Sequence, residues 1–122
     1  MDRNPPDEIL VFMAGKFQML ADPTRLAILR ELMARGEQNV GQVVAATGGT
    51  QANVSKHLKL LADAGMVSRR KEGLNVFYQL IDPVIEKICH LVCDTTLKEI
   101  EAQVEQGQKL LQRKGKLPGG RK

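Results

Sequence analysis

Residues 40–64 read VGQVVAATGGTQANVSKHLKLLADA, and this stretch decides the fold. It starts with a short helical segment, Val40–Thr47, which Gly48-Gly49 closes. Thr50 can then cap a second helix that runs to about Ala64. Two helices separated by so short a break, with glycine available for the sharp backbone turn, predict a helix-turn-helix.

The second helix of this pair is amphipathic. At about 100° per residue, one of its faces carries the apolar side chains Val54, Leu58 and Leu61. The opposite face carries Ala52, Ser55, Lys56 and Lys59. We therefore expect the apolar face to hold the helix against the core while the polar face points outward.

A β-hairpin is predicted directly after the helix pair. Met66–Lys71 and Val76–Ile81 are β-prone runs on either side of a Glu72–Asn75 connection, in which Gly73 and Asn75 tolerate positive φ. The first strand is basic. The helix pair and hairpin together form a predicted reading head between Asn39 and Ile81.

Three further helices flank the reading head. The spacing predicts one over Asp7–Leu20, one from Asp22-Pro23 to Gly36, and a long last helix from Asp82-Pro83 to about Leu111. The expected fold is mainly α with a small β-hairpin, a winged helix-turn-helix of five helices with a two-stranded wing. Residues 1–111 form one domain, and residues 112–122 are a basic, disordered tail.

Composition narrows the possible partners. Aromatic residues make up 3% of the 122 residues and Trp is absent, so single-strand binding by base stacking is disfavoured. The net charge of +4 permits binding to a duplex. No apolar run approaches the roughly 20 residues of a membrane span. The acidic start MDRNPPDE does not resemble a signal peptide, so we expect a cytoplasmic protein with reduced cysteines.

Three linked motifs carry a family resemblance. They are ADPTRLxIL from Ala21, QxxVSxHLxxL from Gln51 and AGMVxxRxEGxxxxYxL from Ala64. At these separations they closely resemble the ArsR/SmtB family of bacterial repressors. The resemblance implies a homodimer, built through the first and last helices, that binds a double-stranded DNA operator with two-fold symmetry. Such a dimer also doubles the number of phosphate contacts.

Candidate DNA contacts lie mainly on the reading helix. Side chains in its first turns are suited to base edges, and these are Gln51, Asn53, Ser55 and Lys56. Thr50 and Lys59 are better placed for phosphates. The alternative is a solvated helix face without a partner.

His57 and the wing are further candidate contacts, and each allows more than one role. His57 lies near the edge of the buried face, where it contacts a phosphate or is packed and hydrogen-bonded within the protein. In the hairpin, strand alternation prevents all three cations of the first strand from reaching DNA. Arg70 or Lys71, together with Asn75 near the tip, is the expected wing contact.

The last helix contains the remaining reactive groups. Cys89 and Cys93 share a helix face at i,i+4 spacing, with His90 beside them. The cysteine pair of the arsenic-type site, the ligand set of the zinc-type site and the two-thiol redox switch known in the resembled family are not matched. We therefore expect no cofactor. The thiols are packed in a dimer interface, bind a soft metal or metalloid ion, or sense redox state.

Two other classes of function are weaker. An enzyme using Cys89 with His90 is disfavoured, because adjacent helical residues project about 100° apart and cannot easily share a hydrogen bond. We therefore expect no enzymatic activity. A dimeric interaction protein that does not bind DNA is disfavoured by the cations concentrated on the reading helix, hairpin and tail.

Overall fold

The computed structural model describes residues 3–115, which contain five α-helices and three β-strands. In chain order these are α1 (Asp7–Leu20), α2 (Pro23–Arg35), β1 (Gln38–Asn39), α3 (Val40–Thr47), α4 (Gln51–Asp63), β2 (Val67–Glu72), β3 (Asn75–Leu80) and α5 (Pro83–Gly115). The chain divides into two compact units, one ending at Pro83 and one beginning at Val84. The first unit contains the predicted reading head, Asn39 to Ile81.

The start of α2 is capped as the sequence predicts. The Asp22 carboxylate accepts a hydrogen bond of 3.0 Å from the backbone N–H of Arg25, and Pro23 occupies the first helical position. The helix ends at Gly36, whose φ of 76° closes it with an N–H donated to the Leu32 carbonyl. Local capping chemistry therefore sets both ends of this helix.

The turn between α3 and α4 depends on its two glycines. Gly48 adopts a left-handed conformation with φ 75° and ψ 10°, which side chains rarely tolerate. A Cβ on Gly49 would lie 3.0 Å from Val54 Cγ2, so the backbone of the turn passes close to α4. Thr50 then caps α4 by accepting a 3.2 Å hydrogen bond from the backbone N–H of Asn53.

The core of the first unit is built around α4. The apolar face of this helix is fully buried, and α4 contacts α2, α3 and β2. The buried apolar side chains of these elements, of β3 and of the residue before β2 are Ile28, Leu29, Leu32, Val43, Val54, Leu58, Leu61, Met66, Val67 and Tyr78. Burial of this face orients the rest of the helix.

The sheet has three strands rather than the two predicted. Their order is β1-β3-β2, with every pair antiparallel. The added strand is the dipeptide Gln38-Asn39, which pairs with Tyr78 and Phe77 of β3. Two residues are too few to show the period-two alternation that identifies a strand from sequence.

The hairpin turn is tighter than predicted. Gly73 and Leu74 alone connect β2 and β3, and Gly73 has a φ of 61°. Within residues 3–115 no residue other than glycine has positive φ, so Asn75 does not use the tolerance proposed for it. Positive φ at the first of two central residues is the pattern of a type II′ hairpin turn.

The last helix is longer than predicted. It continues to Gly115, so residues 112–115 are helical and do not belong to a disordered tail starting at residue 112. The rest of that predicted tail, residues 116–122, lies outside the described residues. Three good helix formers, Gln112, Arg113 and Lys114, follow Leu111, and helix propensity is therefore the signal that should have extended the prediction. Among the described helices, none combines the length and hydrophobicity needed to cross a bilayer.

Gly48→Ala should destabilise the protein by about 1 kcal/mol, because a side chain in the left-handed region clashes with the following carbonyl. The matched control is Gly41→Ala inside α3, where a Cβ would meet only Asn39 Oδ1 at an ordinary 3.5 Å. This control should stabilise by about 0.5–1 kcal/mol. Urea unfolding measures both changes, and equal effects at the two positions would contradict a conformational requirement at Gly48.

Candidate nucleic-acid interface

The polar face of α4 is directed to solvent. Burial of Val54, Leu58 and Leu61 on the opposite side leaves the first turns of the helix accessible. Of the six predicted contacts on and beside this face, Ser55 is half-buried. The other five are exposed, and these are Thr50, Gln51, Asn53, Lys56 and Lys59. The structure therefore gathers these side chains on one surface at the N-terminal part of a helix.

His57 lies on the inner side of α4. It is only 9% exposed, and its Nδ1 is 3.3 Å from Nη1 of Arg25. Because a guanidinium can only donate, Nδ1 must act as acceptor, and the neutral ring then carries its hydrogen on Nε2. This geometry favours the packed, hydrogen-bonded alternative for His57 over a phosphate contact.

Arg25 connects three helices at this point. Its Nε donates to the Met19 carbonyl at 2.8 Å and its Nη2 to the Gln18 carbonyl at 3.3 Å, both in the last turn of α1. The same guanidinium reaches His57 in α4, while its backbone N–H caps α2 through Asp22. The hydrogen bond from that backbone N–H holds the pKa of the Asp22 carboxyl below its ordinary value.

Arg70 in the wing is bound within the protein. Its Nη2 and Nε donate to the two carboxylate oxygens of Glu37 at 2.8 and 3.2 Å, and its Nη1 donates to Glu72. The guanidinium also lies 4.7 Å from the centroid of the Phe77 ring. The hydrogen bond from Arg70 lowers the pKa of Glu37, and its carboxylate partners, Glu37 first, raise the pKa of Arg70.

The strand register separates the cations of the wing. Arg70 pairs across the sheet with Phe77, whereas Lys71 pairs with Val76 and points to the other face. Lys71 is exposed, and among residues 3–115 it forms no ion pair. Of the two cations that the sequence offered for the wing contact, Lys71 is the more available one.

The wing tip and α4 border one open cleft. Gln51 and Ser55 line it from α4, and Leu74, Asn75 and Val76 line it from the hairpin. The remaining wall comes from β1 and the start of α3. Of the candidate residues, Gln51 and Ser55 of the helix and Asn75 of the wing therefore border one shared cleft within the first unit.

The cysteines of α5 occupy unequal environments. Cys89 is half-buried and Cys93 is exposed, as is His90 between them. Burial, and after it the charge of a Cys93 thiolate, raises the pKa of Cys89. Within the described part of the chain, no group of three or more His, Cys, Asp or Glu side chains is arranged to hold a metal ion.

Three residues in or beneath this surface have no role in the sequence predictions. Arg25 and Glu37 act through partners 32 and 33 residues away, a separation at which local periodicity carries no information. Leu74 is predicted only as part of the Glu72–Asn75 connection. Its apolar side chain at a polar turn position was the signal that could have identified it.

Comparison with known proteins places the fold. Residues 20–70 match a protein-family profile described as a helix-turn-helix domain. An uncharacterised helix-turn-helix transcriptional regulator from Methanocaldococcus jannaschii is 38% identical over 76 residues, 62% of this chain and 85% of that protein. A probable mercury resistance operon repressor from Streptomyces lividans is 40% identical over 75 residues, 62% of this chain and 59% of its own length.

A solved structure agrees with this placement. The homodimeric winged helix-turn-helix DNA-binding domain from Mycobacterium bovis, described as a possible ArsR-family transcriptional regulator, has a TM-score of 0.69. It is 28% identical, and the match covers 83% of this chain and 95% of that one. The similarity therefore extends over almost the whole of the solved domain.

Glu37→Gln should reduce stability at pH 7, because the ion pair with Arg70 is lost. The pKa of Glu37 is lowered in the folded protein, so its contribution is present above the ordinary value of roughly 4.3 and is lost as the pH falls through the lowered value. The urea midpoints of the wild type and the variant should therefore converge below about pH 4.

The control is the same substitution in an Arg70→Met background. There Glu37→Gln should have little effect at any pH, because the partner is already absent. A difference between wild type and Glu37→Gln that persists unchanged at pH 3 would contradict the ion-pair origin.

Proposed function

The chain belongs to the ArsR/SmtB family of winged helix-turn-helix transcriptional repressors, and from this premise we propose that it binds a two-fold-symmetric duplex operator as a homodimer. This family and fold are those of DNA-binding regulators and not of enzymes. The observation that carries the proposal is the outward polar face of α4. A regulator of this kind acts where the DNA is, which agrees with the cytoplasmic location expected from the sequence.

The first turns of α4 read bases in the major groove. Gln51 and Asn53 have the amide geometry that pairs with adenine, and Lys56 prefers guanine O6 and N7. Ser55, half-buried beside the cleft, can contact any base edge. Exposure of the longer side chains supports this role, since they can extend into a groove while the buried face of α4 stays packed in the core.

Other residues of the surface position the protein on the phosphates. Thr50 and Lys59 flank the base-reading residues on α4, and Lys71 with Asn75 extends the contact to the wing. Arg70 acts mainly inside the wing, where its bonds to two carboxylates cancel much of its charge. His57 supports α4 through Arg25 and does not contact DNA.

The dimer forms through α1 and α5. Each of these helices carries large apolar side chains that are exposed, with Phe12 of α1 at 76%. Those of α1 are Ile9, Leu10, Val11, Phe12, Met13 and Phe17, and those of α5 include Leu91, Val92, Leu97, Ile100 and Val104. Exposed apolar surface of this extent is typical of an interface. In a two-fold dimer, the α1 and α5 surfaces of both subunits would be buried together.

A second candidate function concerns the signal. The i,i+4 pair of Cys89 and Cys93 favours a soft-ion or thiol response, because Cys93 is exposed and soft thiolates select soft metals. The mercury-resistance repressor named among the relatives belongs to that chemistry. The raised pKa of Cys89 means that an incoming ion must displace a proton, so binding would strengthen with rising pH.

Two substitutions on α4 separate base reading from phosphate contact. Asn53→Ala should weaken specific binding by about 1–3 kcal/mol per half-site while leaving non-specific binding intact. Lys59→Ala should weaken specific and non-specific binding alike and reduce the slope of log K against log salt by about 2, because each subunit of the dimer loses one phosphate contact. Gel shifts on the DNA upstream of its own gene, from 50 to 200 mM salt (roughly the range over which phosphate contacts are lost), measure both.

Arg30→Ala is the matched control, since it removes an exposed cation of α2 from outside the proposed interface. It should change neither affinity nor salt slope. The absence of a sequence-specific shift at every salt concentration would overturn the operator proposal and favour a dimeric interaction protein that does not bind DNA.

The double variant Cys89→Ser with Cys93→Ser should retain the dimer and its DNA binding, because serine is close to cysteine in size and neither cysteine is among the proposed DNA contacts. If the thiols form the signal site, Hg²⁺ or Cd²⁺ should release the wild type from DNA and leave the double variant bound. Release of both proteins by the same ion would rule out the pair as the sensor. The same experiment with peroxide in place of the ion tests a redox response, which would release the wild type from DNA and leave the double variant bound.

A further inference from the structure

The tip of the wing is an apolar side chain in open solvent. Leu74 follows Gly73 in the two-residue turn and is 103% exposed, as accessible as in an extended peptide. Single exposed leucines are common on protein surfaces and need no special explanation. What distinguishes Leu74 is its position, because it lines the same cleft as Gln51 and Ser55 of α4.

The charge of the wing near this tip is largely cancelled. Arg70 is held between Glu37 and Glu72, and Glu72 is the residue directly before the turn. Lys71 is the exposed cation closest to the tip along β2. A wing that approached DNA purely through electrostatics would present a cation at its end, whereas this one presents a leucine flanked by Gly73 and Asn75.

We propose that Leu74 is an apolar contact of the wing with the minor groove, where it packs against the deoxyribose walls and base edges. This inference rests on the proposed operator binding. With α4 in the major groove, the sugar-phosphate backbone that separates the two grooves would run along the cleft between α4 and the hairpin. The wing tip, on the opposite wall of that cleft from α4, would then face the minor groove. Apolar side chains, leucine among them, are used by minor-groove proteins in this way.

The contact has a signature that a phosphate contact lacks. Removing leucine from water against sugar C–H groups releases no counterions, so its contribution to affinity does not depend on salt. Because the side chain of Leu74 is fully exposed in the free protein, its truncation should leave the thermal unfolding midpoint unchanged. Effects on DNA binding can therefore be separated from effects on folding.

The test measures operator affinity over the same salt series for the wild type, Leu74→Ala and Leu74→Lys. Leu74→Ala should bind about three- to tenfold more weakly at every salt concentration, with the salt slope unchanged. Leu74→Lys should recover affinity at low salt and steepen the slope by about 2, because each subunit of the dimer gains one cation. Hydroxyl-radical footprinting should show weaker minor-groove protection at the outer ends of the site for Leu74→Ala.

If Leu74→Ala kept the affinity, salt slope and footprint of the wild type, the inference about Leu74 would be overturned. The proposal of operator binding would still stand. A weaker Leu74→Ala with a flatter slope would also overturn it, because the loss would then come from phosphate contacts. If the wild type bound no operator, the inference would fail together with the proposed function, and the wild-type measurement alone would reveal this.

Discussion

The one-sided burial of α4 is the constraint on which the first unit depends. Val54, Leu58 and Leu61 are fully buried, so the helix cannot rotate about its axis without exposing them. Each buried leucine-sized side chain is worth about 1.5–3 kcal/mol, far more than any solvent-exposed polar contact on the opposite face. The outward direction of the polar face is therefore a consequence of core packing.

A tight turn and a set of hydrogen bonds then fix the position of α4 relative to α3 and α1. Gly48 and Gly49 bring the end of α3 close to Val54, which leaves the turn little freedom. On the inner side, Arg25 binds carbonyls of α1 and the ring of His57 together. The helix proposed to read DNA thus has a direct polar connection to α1, a helix proposed to form the dimer.

The wing shows how a count of cations overstates the charge available to a polyanion. The sequence of β2, the first strand of the hairpin, is strongly basic. Arg70, however, forms ion pairs with Glu37 and Glu72 and stacks on Phe77. This arrangement stiffens the hairpin against β1, because Glu37 immediately precedes that strand. Available positive charge is thereby shifted toward Lys71 and the lysines of α4, and the tip is left apolar.

The sequence by itself determined the first four helices to within a residue, the existence of a hairpin, and the outward face of α4. These features depend on caps, glycines and periodicity within one element, so neighbouring residues contain the necessary information. The tertiary structure decided the third strand, the burial of His57 on Arg25 and the pairing of Arg70 with Glu37. Those contacts join residues 32 or more positions apart, and only packing of the whole unit brings them together.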